Sequence, residues 1–200
     1  MINKLAVCFT DKLLLKNSIS ENERELYVYG FFMLLSHLMY FIFTCVFGSI
    51  FRCFLESVIF CITFQLIRRY AGGYHANTEI ICNLFSILSI IACVSFIKLS
   101  KMYRINSVLL CIVLLCAILI FTFCPLDTPE KPLTKKEFKH FRKISLIILL
   151  CVLIAIILSY IYKFNIIFAP CCVSVILEGV LIGTGQIKKA YSKKRANSQV

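Results

Sequence analysis

Arg68-Arg69-Tyr70-Ala71-Gly72-Gly73-Tyr74-His75-Ala76-Asn77-Thr78-Glu79-Ile80-Ile81-Cys82 is a polar, glycine-broken insert between two apolar runs. After it, Ile80–Ile97 is long enough to cross a bilayer as a helix. Before it, the stretch from Arg52 to Arg68 encloses only fifteen residues, including Glu56. As a helix that is about 23 Å, short of a hydrocarbon core of about 30 Å. Arginine snorkelling stretches such a segment across, or the chain re-enters on the same side.

Working outward, Tyr27–Ser49, Ile105–Phe123 and Ile144–Tyr162 each have spanning length. Phe164–Ile187 is longer and is disturbed by Pro170, Glu178, Gly179, Gly183 and Gly185. In residues 1–26, Ile2, Leu5, Ala6, Phe9 and Leu13 recur at helical spacing with Lys4, Asp11, Lys12 and Lys16 between them. That pattern suits a helix lying in the membrane interface. Asp11 and Lys12 interrupt any apolar core that a secretory signal would need. The expected fold is therefore all-α: a polytopic membrane bundle of about six hydrophobic segments behind an N-terminal interfacial helix, in a single domain over residues 1–200. The second segment is the least secure of the six. Composition agrees. The chain is 60% hydrophobic with a mean hydropathy of +0.88, and a soluble domain is nearer about 45–50% apolar.

The formal charge is +12. Nucleic-acid binding is not the reading, because the basic residues fill short gaps between apolar runs instead of one folded face. They set orientation. With both termini cytoplasmic and six crossings, 17 of the 22 Lys and Arg residues fall inside and 5 outside, a strong positive-inside bias. Residues 68–82, the loop 124–143 and the basic tail 188–200 then face the cytoplasm, where thiols stay reduced. Most of the 12 cysteines lie inside apolar runs and read as small buried hydrophobes. No cysteine spacing suggests a metal site, and no cofactor is expected.

A thiol is a useful nucleophile as thiolate, and a nearby imidazole takes its proton. On one straight helix His75 and Cys82 would share a face but stand about 10.5 Å apart, too far for proton transfer. Gly72 and Gly73 let the backbone turn, so a helix starting near Thr78 or Glu79 would leave His75 on a folded-back loop. Pairing across a dimer is the other route. The competing reading makes His75 an interfacial polar group and Cys82 an ordinary buried thiol. Glu79 either orients the imidazole or complements a helix dipole. Ser86 lies on the Cys82 face of a helix. His37, His140 and Cys124 are weaker candidates. Three of the four prolines shape the loop Cys124–Leu133. Lys131, Lys135, Lys136, Lys139, Arg142 and Lys143 follow and would attract an acidic peptide. A small transporter or channel is the rival class, resting on Glu178 amid glycines in a broken last segment.

The run Arg68–Ala76 followed by Cys82 and Ser86, with Asp127, Lys131 and Pro132 in the later loop, resembles the accessory gene regulator B family along nearly the whole chain. These are membrane cysteine endopeptidases of Gram-positive quorum sensing. The resemblance implies that Cys82 is the nucleophile and His75 its base, and that Arg68 and Gly73 are needed for activity. It implies an AgrD-like autoinducer precursor peptide as substrate. The family cleaves off the precursor's C-terminal segment through a thioester and promotes thiolactone closure. A homodimer is implied in the same way.

Overall fold

The computed structural model describes residues 2–16, 18–73, 79–103, 105–126 and 134–197. Among these the chain is all helical: α1 (Ile2–Leu15), α2 (Arg24–Ile50), α3 (Phe54–Ala71), α4 (Glu79–Tyr103), α5 (Asn106–Phe123), α6 (Lys135–Ile161) and α7 (Asn165–Asn197), with one 3-10 turn at Glu21–Glu23. It divides into two compact units, residues 1–43 and 44–200.

In the first unit α1 folds back on the start of α2. The Arg24 guanidinium donates twice to the Asp11 carboxylate, at 2.8 and 3.1 Å. The Phe9 and Phe31 rings lie 5.9 Å apart. Leu5, Phe9 and Leu15 stay exposed on α1, and its lysines alternate with them. An apolar stripe edged with lysine suits the headgroup boundary.

The second unit is built around α7. Most of α7 is buried, whereas α4, α5 and α6 each bury only a stripe, and α7 packs against α3, α4, α5 and α6. Four contacts fix the directions. Asn106 donates to Asn165 at 3.4 Å where α5 and α7 begin. Ser174 Oγ donates to the Phe60 carbonyl at 3.1 Å. The Arg68 and Glu178 side chains stand 3.8 Å apart. Gly179 lies against Cys116. Helices α3, α5 and α7 therefore run the same way. α6 runs opposite: Cys124, just past α5, donates to Ser145 near the start of α6 at 2.8 Å, and Tyr160 near its end meets Phe168 at 5.6 Å.

This layout answers the question about the short second segment. Five helices are long and apolar enough to cross a membrane among the described residues, and α3 is not one of them, because it carries Glu56, Arg68 and Arg69. Yet α3 has the same 18-residue length as α5, and both pack on α7 running the same way. The two end level, since Leu126 N donates to Ala71 O at 2.9 Å. A slab that contains α5 also contains α3. The outward faces demand such a slab: Leu84, Phe85, Leu88, Leu115, Phe121, Leu150 and Ile157 are all exposed, an apolar surface that hydrocarbon tolerates and water does not. This is a multi-pass membrane protein. Inside, where lipid removes most of the hydrophobic drive, small residues and polar contacts hold the helices together. Ala169, Cys172, Ser174 and Gly179 let neighbours approach α7 closely.

Two expectations need correction. The last segment is not broken; α7 is one 33-residue helix with Pro170 inside it. Its disturbed backbone is buttressed on several sides, and Ser174 Oγ bonds to the Pro170 carbonyl at 2.9 Å as well as to Phe60 O. The residues Lys135–Lys143, expected in a loop, form the first turns of α6. A capping box starts that helix: Glu137 N donates to Thr134 Oγ1 at 3.3 Å and Thr134 N to the Glu137 carboxylate at 2.9 Å. At 27 residues, or about 40 Å, α6 overreaches the hydrocarbon and carries its basic start beyond it. Beyond residue 188, α7 continues as helix as far as Asn197.

Candidate active site

The site is organised by the end of α3. Ala71 is its last helical residue. Gly72 has φ 74° and ψ −152°, and Gly73 has φ 140°. These are conformations that a side chain makes costly, so two consecutive glycines stop the helix here. The turn is then held from three sides. Gly72 N donates back to Arg68 O at 3.2 Å, and Ala71 O accepts from Leu126 N at 2.9 Å. The third hold is Arg68 Nη1, which donates to Gly72 O at 2.8 Å. There is no room to spare: a Cβ on Gly72 would stand 2.9 Å from Leu126 O, and one on Gly73 would run into the Arg68 guanidinium.

Cys82 lies in the first turn of α4, half-buried. Ser86, one turn on, donates to the Cys82 carbonyl at 2.9 Å, so its hydroxyl proton serves the helix backbone and not the sulfur. His75, Asp127 and Lys131 lie outside the described residues, as does the Glu79 side chain. The separation of the His75 ring from the Cys82 sulfur lies outside them too. Helix α3 stops before Gly72 and Gly73, and α4 carries the chain from Glu79 onward.

All twelve cysteines carry free thiols, and they differ in reach. Cys124, at the same end of the bundle, is 1% exposed. Burial pushes its thiol pKa up, with the Ser145 hydrogen bond only partly opposing this. It has neither the exposure nor the thiolate fraction of a nucleophile.

Beyond the turn, Lys135, Lys136, Lys139, Arg142 and Lys143 are exposed on the first turns of α6. Tyr70 and Phe141 meet edge to face at 6.1 Å, so this basic surface starts beside the end of α3. His140 is exposed among them.

One pairing was not legible from spacing. Glu178, on α7, is fully buried, and its Oε1 stands 3.8 Å from Arg68 Nη1. Each residue was conspicuous alone, since an ionisable group in an apolar segment is expensive. Two opposite charges stranded in separate apolar segments are the signal that could have joined them.

The description accessory gene regulator B matches residues 3–182 as a family model. The chain belongs to that family. A putative AgrB-like protein of Clostridium perfringens strain SM101 is 30% identical over 172 residues, covering 82% of this chain and 80% of that one. The accessory gene regulator protein B of Staphylococcus epidermidis is 32% identical over 108 residues, 54% of each chain. That of Staphylococcus intermedius is 31% identical over 96 residues, 48% of this chain and 50% of that one. No solved structure matches. Membership in the accessory gene regulator B family covers the α3 turn, Cys82 and the start of α6 together. It also weakens the transporter reading, whose broken last segment is a continuous helix and whose stranded Glu178 faces Arg68.

Proposed function

We propose that this chain is a membrane cysteine endopeptidase of quorum sensing, acting on an AgrD-like precursor peptide. The observation that carries the reading is the glycine turn closing α3, with Cys82 in the first turn of the helix that follows. Only a short link, containing His75, joins the two. The N-terminal end of a helix also favours negative charge, which suits an attacking sulfur.

The chemistry runs in two balanced steps. His75 takes the Cys82 thiol proton, and the sulfur attacks the carbonyl carbon preceding the precursor's C-terminal segment. A carbon–sulfur bond forms and the carbon–nitrogen bond breaks. The proton passes from His75 to the departing nitrogen, leaving a thioester on Cys82. The precursor's own internal cysteine then gives its proton to His75 and attacks that thioester. A thiolactone closes, and Cys82 leaves as thiolate and regains the proton. One thioester replaces another, so the step is close to isoenergetic, and keeping water out matters more than driving force.

The site faces the cytoplasm with both termini on that side, and the protein works as a homodimer. The exposed lysines and arginines opening α6, with Lys131 ahead of them, receive the acidic end of the precursor. The test is cleavage of precursor by protein purified in lipid. Wild type is expected to release the C-terminal fragment and form a hydroxylamine-sensitive adduct at Cys82. The Cys82→Ala and His75→Ala variants are expected to do neither. Normal cleavage by Cys82→Ala ends the proposal.

A further inference from the structure

We propose that Glu178 is a positioning residue for this site: through the Arg68 guanidinium it fixes the Gly72–Gly73 turn from which the His75 link departs. The inference rests on the endopeptidase reading for its catalytic consequence, but not for the clamp itself.

The guanidinium sits between two things. On one side is the Glu178 carboxylate, 3.8 Å from Nη1. On the other is the turn, where the same Nη1 donates to Gly72 O at 2.8 Å and Gly73 lies so close that a Cβ would displace the guanidinium. Neither oxygen of Glu178 has a hydrogen-bond partner among the described residues, and no part of its side chain reaches solvent, whereas 21% of the Arg68 side chain does. A buried carboxylate without an opposing charge is costly. The arginine is therefore drawn inward to Glu178, although its long chain would otherwise snorkel toward the headgroups. That inward pull lays its donors across the glycine turn. Nothing about the turn requires residue 178 to be acidic unless the arginine is being held. The glycines alone would permit the bend, but they would also permit many others.

Glu178 touches no reacting atom in this scheme. It acts on α3, α3's arginine acts on the turn, and the turn sets where the His75 link begins. α7 is the central helix of the unit, packed by α3, α4, α5 and α6, and the anchor point is fully buried in it.

The test compares Glu178→Gln and Glu178→Asp with wild type, full-length in lipid bilayers and matched for monodisperse protein. Two readouts are taken: hydrogen exchange at the Leu126 amide, which bonds to Ala71 O, and precursor cleavage resolved into kcat and KM. Glu178→Gln keeps the shape and removes the charge. It is expected to speed Leu126 exchange about tenfold and to lower kcat about tenfold with little change in KM, since positioning and not binding is lost. Glu178→Asp keeps the charge and is expected to recover most of both. Wild-type exchange and kcat in Glu178→Gln overturn the inference. So does a lower yield of folded protein with undiminished kcat, which would make the pair purely structural. Should Cys82→Ala still cleave precursor, the endopeptidase reading fails while the exchange measurement still decides the clamp.

Discussion

Replacing Gly72 with alanine tests the turn most directly. Gly72 sits at φ 74°, ψ −152°, a region essentially reserved for glycine, and forcing a side chain there costs about 1–3 kcal/mol. The added Cβ would stand 2.9 Å from Leu126 O. That neighbour is backbone and cannot rotate away, so the Leu126–Ala71 hydrogen bond is expected to lengthen or break, adding about 1 kcal/mol. Together these come to about 2–4 kcal/mol. The turn is at the edge of the bundle, so the cost falls on local opening more than on global unfolding. If acylation needs the turn formed, kcat should fall by about 30- to 900-fold. The assay is single-turnover cleavage of precursor by protein in lipid nanodiscs, with thermal unfolding alongside. Gly183→Ala is the control. A Cβ there meets nothing within 4 Å, and within a helix alanine should add about 0.5–1 kcal/mol of stability. Gly72→Ala enzyme that turns over within about twofold of wild type and melts with it would refute the reasoning.

Four other outcomes follow from the same contacts. Gly179→Ala puts a Cβ 2.6 Å from Cys116 Cβ and should destabilise the bundle by about 1–3 kcal/mol, with Cys116→Gly restoring part of the melting temperature. Arg68→Met leaves the fully buried Glu178 without its opposing charge, so the carboxyl is driven to its neutral form and the melting temperature should fall; Glu178→Gln, which leaves a guanidinium still reached by water, should lower it less in the same melts. Because burial raises the Cys124 thiol pKa, its thiolate is scarce near neutral pH, so alkylation there should be slow and still climbing above the ordinary cysteine range, while Cys82 labels early. Cleavage should weaken as salt rises, chiefly through KM, because exposed charges are screened within about 10 Å at 0.1 M; charge reversal at Lys135 and Lys136 should mimic this, and indifference to both would discard the steering role.

The sequence announced the helical class because hydrocarbon leaves a long apolar run few alternatives. Ile105–Phe123 could be placed almost to the residue, as α5 (Asn106–Phe123) shows. Charged helix ends are hidden from an apolar pattern. The apolar run stops at Ile97, yet α4 continues through Lys98 and Lys101 to Tyr103, since a helix leaving the bilayer has no reason to unwind at the first lysine. The Thr134–Glu137 capping box lies outside every apolar run, so the apolar pattern alone places the start of α6 too late. The glycine turn was legible because Gly72 and Gly73 permit what other residues resist. Its neighbours were not, since neither the Leu126 bridge nor the Glu178 carboxylate is near α3 in sequence. The continuity of α7 is hidden from local reasoning for the same cause: proline and glycines weaken a helix locally, and the helices packed on α7 are distant in sequence.

The pairing of Arg68 with Glu178 bears on how the protein is made. Helix α3 emerges from the ribosome early, carrying Glu56, Arg68 and Arg69, and the carboxylate that faces Arg68 is synthesised only with the final helix. Until the C-terminal segment arrives, the Arg68–Glu178 contact between α3 and α7 cannot form. A nascent chain stopped before α7 should leave α3 accessible to aqueous probes from the side it entered.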